Sequence, residues 1–146
     1  MIPIRYVQGV GEITLYIAGK WEARLRLREM ANVLRLGGYR VTSSWLDRPE
    51  SESYKVGDSV TQATLDLDEI DESNLFILDT MDENATGGAN VEFGYALAHS
   101  ADRALIVVGP ERNIFHPMAV HFTDWPEALE TLFHPYTLYM KVLQIG

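Results

Sequence analysis

Short apolar runs, separated by longer segments of helical period, are the feature that most restricts how this chain can fold. Ile13-Thr14-Leu15-Tyr16-Ile17-Ala18, Leu75-Phe76-Ile77-Leu78-Asp79 and Ala104-Leu105-Ile106-Val107-Val108 are nearly unbroken apolar stretches. A strand with one wet face alternates apolar and polar residues; unbroken runs belong to strands covered on both faces, as in a parallel sheet. Between them the period changes. Segment 20–36 carries Leu25, Met30, Val33 and Leu34 at three-to-four spacing among Arg24, Arg26, Arg28 and Arg35, and Gly37-Gly38 ends it. Further strands are expected at 39–45 and 119–122, and the last of the three runs is expected to span 103–109. Further helices are expected from Asp58 or Ser59 to about Glu72, over 90–100, and over 125–133 with Thr123 or Asp124 as its cap.

This alternation is the doubly wound α/β pattern of a single domain, with 1–12 as an irregular lead-in and 135–146 as a tail without assignment. In such sheets the ligand sits beyond the C-terminal strand ends, which selects loops 19–21, 80–89 and 110–117.

Composition narrows the chemistry. The chain is 47% hydrophobic and 23% charged, as soluble globular proteins are. No apolar run reaches the roughly 18 residues of a membrane span. The first residues lack the basic-then-apolar order of a signal peptide. There is no cysteine, so disulfides, thiolate zinc sites and cysteine nucleophiles are excluded, and a cytoplasmic setting is expected. A net charge of −9 disfavours polymeric nucleic acid, whose affinity comes largely from neutralised phosphates, and favours a small-molecule ligand. His99, His116, His121 and His134 lack a two-histidine metal spacing, and no Walker A or Gly-x-Ser-x-Gly motif is present. No metal site is expected.

The stretch Gly88-Ala89-Asn90-Val91-Glu92-Phe93-Gly94-Tyr95-Ala96-Leu97 concentrates the chemistry. A Gly-Gly turn leads from the third strand into a helix. Glu92 is expected in that helix's first turn, where free N–H groups and the dipole favour an ionised carboxylate. Retaining glycosidic cleavage needs one carboxylate to attack the anomeric carbon and a second acid to move the leaving group's proton. Asp66, or Asp68 beside it, is the expected second acid. Gly19, Lys20 and Trp21 lie on the first ligand loop. Trp21 either stacks on a base or packs under the first helix; Lys20 and Arg24 either hold a phosphate or are surface charge; Asn90 is a ligand contact or only a cap.

Several motifs together resemble the nucleoside 2-deoxyribosyltransferases, in particular the short, phage-type branch. They are Tyr16-Ile17-Ala18-Gly19-Lys20-Trp21, Asp66-Leu67, the Glu-x-Gly-Tyr-Ala-Leu run from Glu92 to Leu97, and Gly109-Pro110-Glu111-Arg112-Asn113-Ile114-Phe115-His116. The resemblance spans roughly residues 13–133. It implies a flavodoxin-like, five-stranded parallel sheet of order 2-1-3-4-5, and cofactor-free ping-pong exchange of the base of a deoxynucleoside. It implies Glu92 as the nucleophile, Asp66 as the general acid/base, and Asn113 reaching the sugar held by a neighbouring subunit, hence a homo-oligomer with shared active sites. The family often carries an acid six residues before its nucleophile, at the sugar's 5′ end; here that residue is Thr86, with Asp82 and Glu83 nearby. Two further readings remain: hydrolysis of a deoxynucleoside 5′-monophosphate on the same scaffold, and a nucleotide-binding module without catalysis.

Overall fold

The computed structural model describes residues 13–48, 59–82 and 87–134. The lead-in, the tail, most of loop 46–57, and Glu83 and Thr86 lie outside the described residues.

Each apolar run is a strand. β1 is Thr14–Ala18, β3 is Leu75–Asp79, β4 is Ala104–Val108, and the short β2 (Arg40–Val41) and β5 (Val120–Phe122) flank them. They form one five-stranded sheet of order β2-β1-β3-β4-β5. Every pairing is parallel. This is the flavodoxin-like order expected above. Every residue of β3 and β4 is buried, which accounts for their unbroken apolar character.

Four α-helices cover the sheet: α1 (Arg24–Leu36), α2 (Ser59–Glu72), α3 (Gly88–Ala98) and α4 (Trp125–Leu132). α2 and α3 pack together on one face. On the other, the ends of α1 and α4 meet: Tyr39, just after α1, donates its phenol to the Leu132 carbonyl. Asp124 caps α4 by accepting from the Glu127 N–H at 2.9 Å, and Pro126 sits where its missing N–H costs nothing.

The second strand and the first helix differ from expectation. The second strand is only Arg40–Val41, because the chain turns into a 3₁₀ segment at Ser44–Asp47. That segment stops at Arg48, which is extended (φ −68°, ψ 137°), as the residue before Pro49 must be. The first helix opens as a 3₁₀ turn, Trp21–Ala23. Its buried face also runs through Arg24, Leu27, Ala31 and Leu34, leaving Leu25 and Val33 exposed. Arginine stems line the boundary of that face and shift its phase from the one read off Leu25 and Val33.

The core takes in Leu15, Ile17, Leu27, Leu34, Phe76, Ile77, Phe93 and Ile106. Each such side chain contributes roughly 1.5–3 kcal/mol by leaving water.

Candidate active site

Side chains alternate along β1, so Tyr16 faces α2 and α3 whereas Leu15 and Ile17 face the other layer. Tyr16 is fully buried and stacks on Phe76 of β3, its register partner, with ring centroids 5.7 Å apart. Its hydroxyl donates to Glu92 Oε2 at 2.5 Å. Burial, and then the Glu92 charge, push the phenol well above its ordinary value. It therefore remains a proton donor throughout the working range.

Glu92 is not in the first turn of its helix. α3 begins at Gly88, with Gly87 as cap in the left-handed region (φ 93°), a conformation that favours glycine. Glu92 thus lies one turn further in, beyond the helix's free N–H groups. Burial dominates its electrostatics and pushes the carboxyl up to about 7. The Tyr16 hydrogen bond and Arg48 work in the opposite direction, and Asp66 and Glu69 add to the rise. The expected stabilisation of the anion by the dipole is outweighed by desolvation.

Asp66 and Glu69 come from α2, one turn apart on the face toward the 3₁₀ segment. Asp66 Oδ1 accepts from Arg48 Nη2 at 3.1 Å, and both side chains are largely shielded. Burial raises the Asp66 carboxyl while Arg48 lowers it. Glu69 receives the Ser44 N–H at 3.2 Å, capping the 3₁₀ segment. Asp66, Glu69, Glu92, Tyr16 and Arg48 therefore form one electrostatic group: the charges of Asp66 and Glu69 raise Glu92, that of Asp66 raises Glu69, and Arg48 lowers all three. Gln62, one turn before Asp66, has a buried side-chain oxygen with no partner among the described residues. Asp68 is exposed, on the flank of α2 nearer Tyr95.

Asn90 and Asn113 meet through His116. The Arg112 N–H reaches His116 Nδ1 at 2.9 Å, so Nδ1 accepts and Nε2 carries the proton. Nε2 then donates to Asn90 Oδ1 at 2.9 Å, and Asn113 Nδ2 approaches the same oxygen at 3.4 Å. Burial pushes His116 below its ordinary value, which suits a neutral ring. Asn113 Oδ1 meanwhile accepts from the Phe115 N–H at 2.8 Å. Asn113 is thus engaged within its own chain, beside the exposed Ile114, Phe115 and Met118. Beneath α3, a row of rings connects both groups: Tyr16, Phe76, Phe93 and His116, the last edge-on to Phe93 at 5.4 Å.

Trp21 is half-buried, tilted against Trp45 at 6.3 Å, with the Arg24 guanidinium 4.4 Å above its ring. Arg24 also donates to the Arg48 carbonyl at 3.2 Å, so its guanidinium already has protein partners. Lys20 caps the 3₁₀ turn beside it. Gly19 is closely packed: a Cβ there would lie 2.6 Å from Leu27 Cδ1. Gly109, ending β4 at φ 119°, passes so near the main chain of Met81 that a Cβ would meet its nitrogen at 2.8 Å. Asp79 belongs to the opposite face. It receives Arg26 at 2.9 and 3.1 Å and the Trp125 indole at 2.6 Å. Among the described residues no cluster of histidines and carboxylates is arranged to hold a metal ion, and no helix is long and apolar enough to cross a membrane.

The sequence pointed to Glu92 and Asp66, and the fold brings them together. Tyr16, Arg48, Glu69 and Gln62 were not singled out for this group. Tyr16 is hidden inside an apolar strand, where the sole signal is a hydroxyl that needs a buried partner.

No family model matches the chain, and no curated protein matches it. Among solved structures, the CMP N-glycosidase BcmB of Clostridium botulinum shares the fold. Its TM-score is 0.56 and its identity 21%, over 82% of this chain and 97% of that one.

Proposed function

We propose that this protein cleaves the N-glycosidic bond of a 2′-deoxynucleoside and passes the sugar to a second base, as a nucleoside 2-deoxyribosyltransferase does. The Tyr16–Glu92 hydrogen bond carries the reading. It fixes one carboxylate oxygen and leaves the other for carbon. Glu92 attacks C1′; the C1′–N bond breaks and its electron pair leaves with the base, which takes a proton from Asp66. A second base then attacks C1′, Glu92 is released, and Asp66 recovers a proton. Positive charge on the sugar during bond breaking favours the ionised form of Glu92, countering its burial. Lys20, Trp21, Asn90 and Asn113 border the ligand edge as substrate contacts. The exposed apolar residues beside Asn113 support a homo-oligomer.

A second reading is hydrolysis of a nucleoside 5′-monophosphate. It is supported by the shared fold with an enzyme described as a CMP N-glycosidase. It is disfavoured by Arg24, with Lys20 one of the two expected phosphate ligands, which is engaged with Trp21 and Arg48. Whether base or water enters after the first step decides between the two. Incubation of a deoxynucleoside, or its monophosphate, with a different free base, resolved by chromatography, tests both. Exchange supports transfer; free sugar or sugar phosphate supports hydrolysis. Absence of any cleavage, together with no glycosyl adduct on Glu92 by mass spectrometry, overturns the enzymatic reading.

A further inference from the structure

Arg48 is placed with unusual care for a residue in a polar connection. Its carbonyl accepts from Arg24 Nε at 3.2 Å and from Arg28 Nη2 at 3.4 Å, and Arg28 also holds the Leu46 carbonyl at 2.6 Å. Two arginines of α1 thus fasten the main chain at this point. From that fixed root the side chain crosses to α2 and meets Asp66 at 3.1 Å, with 18% of the Arg48 side chain and 19% of the Asp66 side chain exposed. Such a pair is a poor stability device, since desolvation offsets much of the attraction. It is also the resting partner of the group that must hand a proton to the leaving base. A guanidinium keeps its protons at any working pH, so it supplies charge and directed hydrogen bonds and never a proton itself.

We propose that Arg48 takes hold of the departing base: its guanidinium donates to an acceptor atom of the base and, as Asp66 yields its proton, becomes the counter-ion of the carboxylate left behind. This rests on the N-glycoside-cleaving reading above. The steps balance. The C1′–N electron pair leaves with the base, the Asp66 proton neutralises it, and Arg48 compensates the new charge on Asp66. The Arg48–Asp66 pair in the structure corresponds to the state after proton transfer.

Leaving-group dependence tests this. The parent, Arg48→Gln and Arg48→Lys are compared on 2′-deoxyadenosine and 2′-deoxycytidine, and on 4-nitrophenyl 2-deoxyribofuranoside, whose leaving group departs without a proton. With each enzyme compared at its own pH optimum on each substrate, because Arg48 also lowers the Glu92 carboxyl, Arg48→Gln is expected to lower kcat on the nucleosides about 100-fold while changing the nitrophenyl rate by less than about threefold. Arg48→Lys is expected to recover part of the nucleoside rate. An equal fall on both substrate types, as a folding defect or disordered carboxylates would give, overturns the assignment, and so does an unchanged nucleoside rate. If the parent cleaves none of these substrates, the glycosidic reading itself fails, an outcome separate from a parent that works and a variant that does not discriminate.

Discussion

Tyr16, fully buried in the sheet, holds the Glu92 carboxylate of the covering helix through one hydrogen bond of 2.5 Å. The phenol lowers the Glu92 carboxyl against the larger effect of burial. Tyr16→Phe is therefore expected to move Glu92 further up. A hydrogen bond to a charged group is worth about 1.5–3 kcal/mol, so turnover at pH 7 should fall roughly tenfold or more. The alkaline shift of the pH–rate profile separates this from simple loss of packing, because phenylalanine keeps the stack on Phe76.

The pH dependence of the parent assigns the two acids. On 4-nitrophenyl 2-deoxyribofuranoside, whose leaving group needs no proton, only the nucleophile's ionisation counts; with Glu92 at about 7 and required as the anion, kcat/KM is expected to rise as pH increases through about 7. If Asp66 were the nucleophile and Glu92 the proton donor, kcat/KM on that substrate would not rise over the same interval. A rate profile between pH 5 and 9 decides between them.

Stability should run the other way. Glu92 binds its proton more tightly folded than unfolded, where its ordinary value is 4.5. Between about 4.5 and 7 the native state holds more protons, so its contribution to stability is full at low pH and is lost as pH rises through about 7. Glu92→Gln removes this dependence and keeps an acceptor for Tyr16. It is expected to be more stable than the parent at pH 8, by roughly 3 kcal/mol at most, in urea unfolding.

Asp79 on the opposite face should behave differently. Asp79→Ala strips Arg26 and the Trp125 indole of their shared acceptor. Breaking a fully buried pair costs about 3–5 kcal/mol, and partial exposure of Arg26 reduces this to about 2–3 kcal/mol. Denaturant midpoints should drop accordingly, while the folded fraction retains the parent's kcat.

Shared sites can be tested by mixing. If Asn113 serves the sugar bound in a neighbouring copy, combining inactive Glu92→Gln with inactive Asn113→Ala should restore part of the activity. Recovery absent at every ratio, with a monomeric solution mass, would leave Asn113 serving its own chain through Asn90 and His116.

The sheet was readable because strands buried on both faces have nowhere to put a polar residue, so Leu75–Asp79 and Ala104–Val108 announce themselves. The second strand was read too long: Arg40–Val41 stops where Trp45 turns back to donate its indole N–H to the Ile17 carbonyl at 2.8 Å, a tertiary contact that local pattern does not carry. At the site, Glu92 and Asp66 stood out by motif and spacing. Their electrostatics did not, because helix position suggests an easily ionised Glu92 whereas three-dimensional burial makes it reluctant. Arg48 was invisible for a related reason. One arginine in a polar loop looks like surface charge until the fold brings α2 against it.

The sheet separates two kinds of labour. Tyr16, Asp66 and Glu92 occupy one layer, and the lock of Arg26, Asp79 and Trp125 holds the other. Under the proposed function, variation can therefore rewrite which bond is broken, or which acceptor is chosen, without loosening the frame. A lineage built on this plan is free to explore new reactions while its architecture stays put.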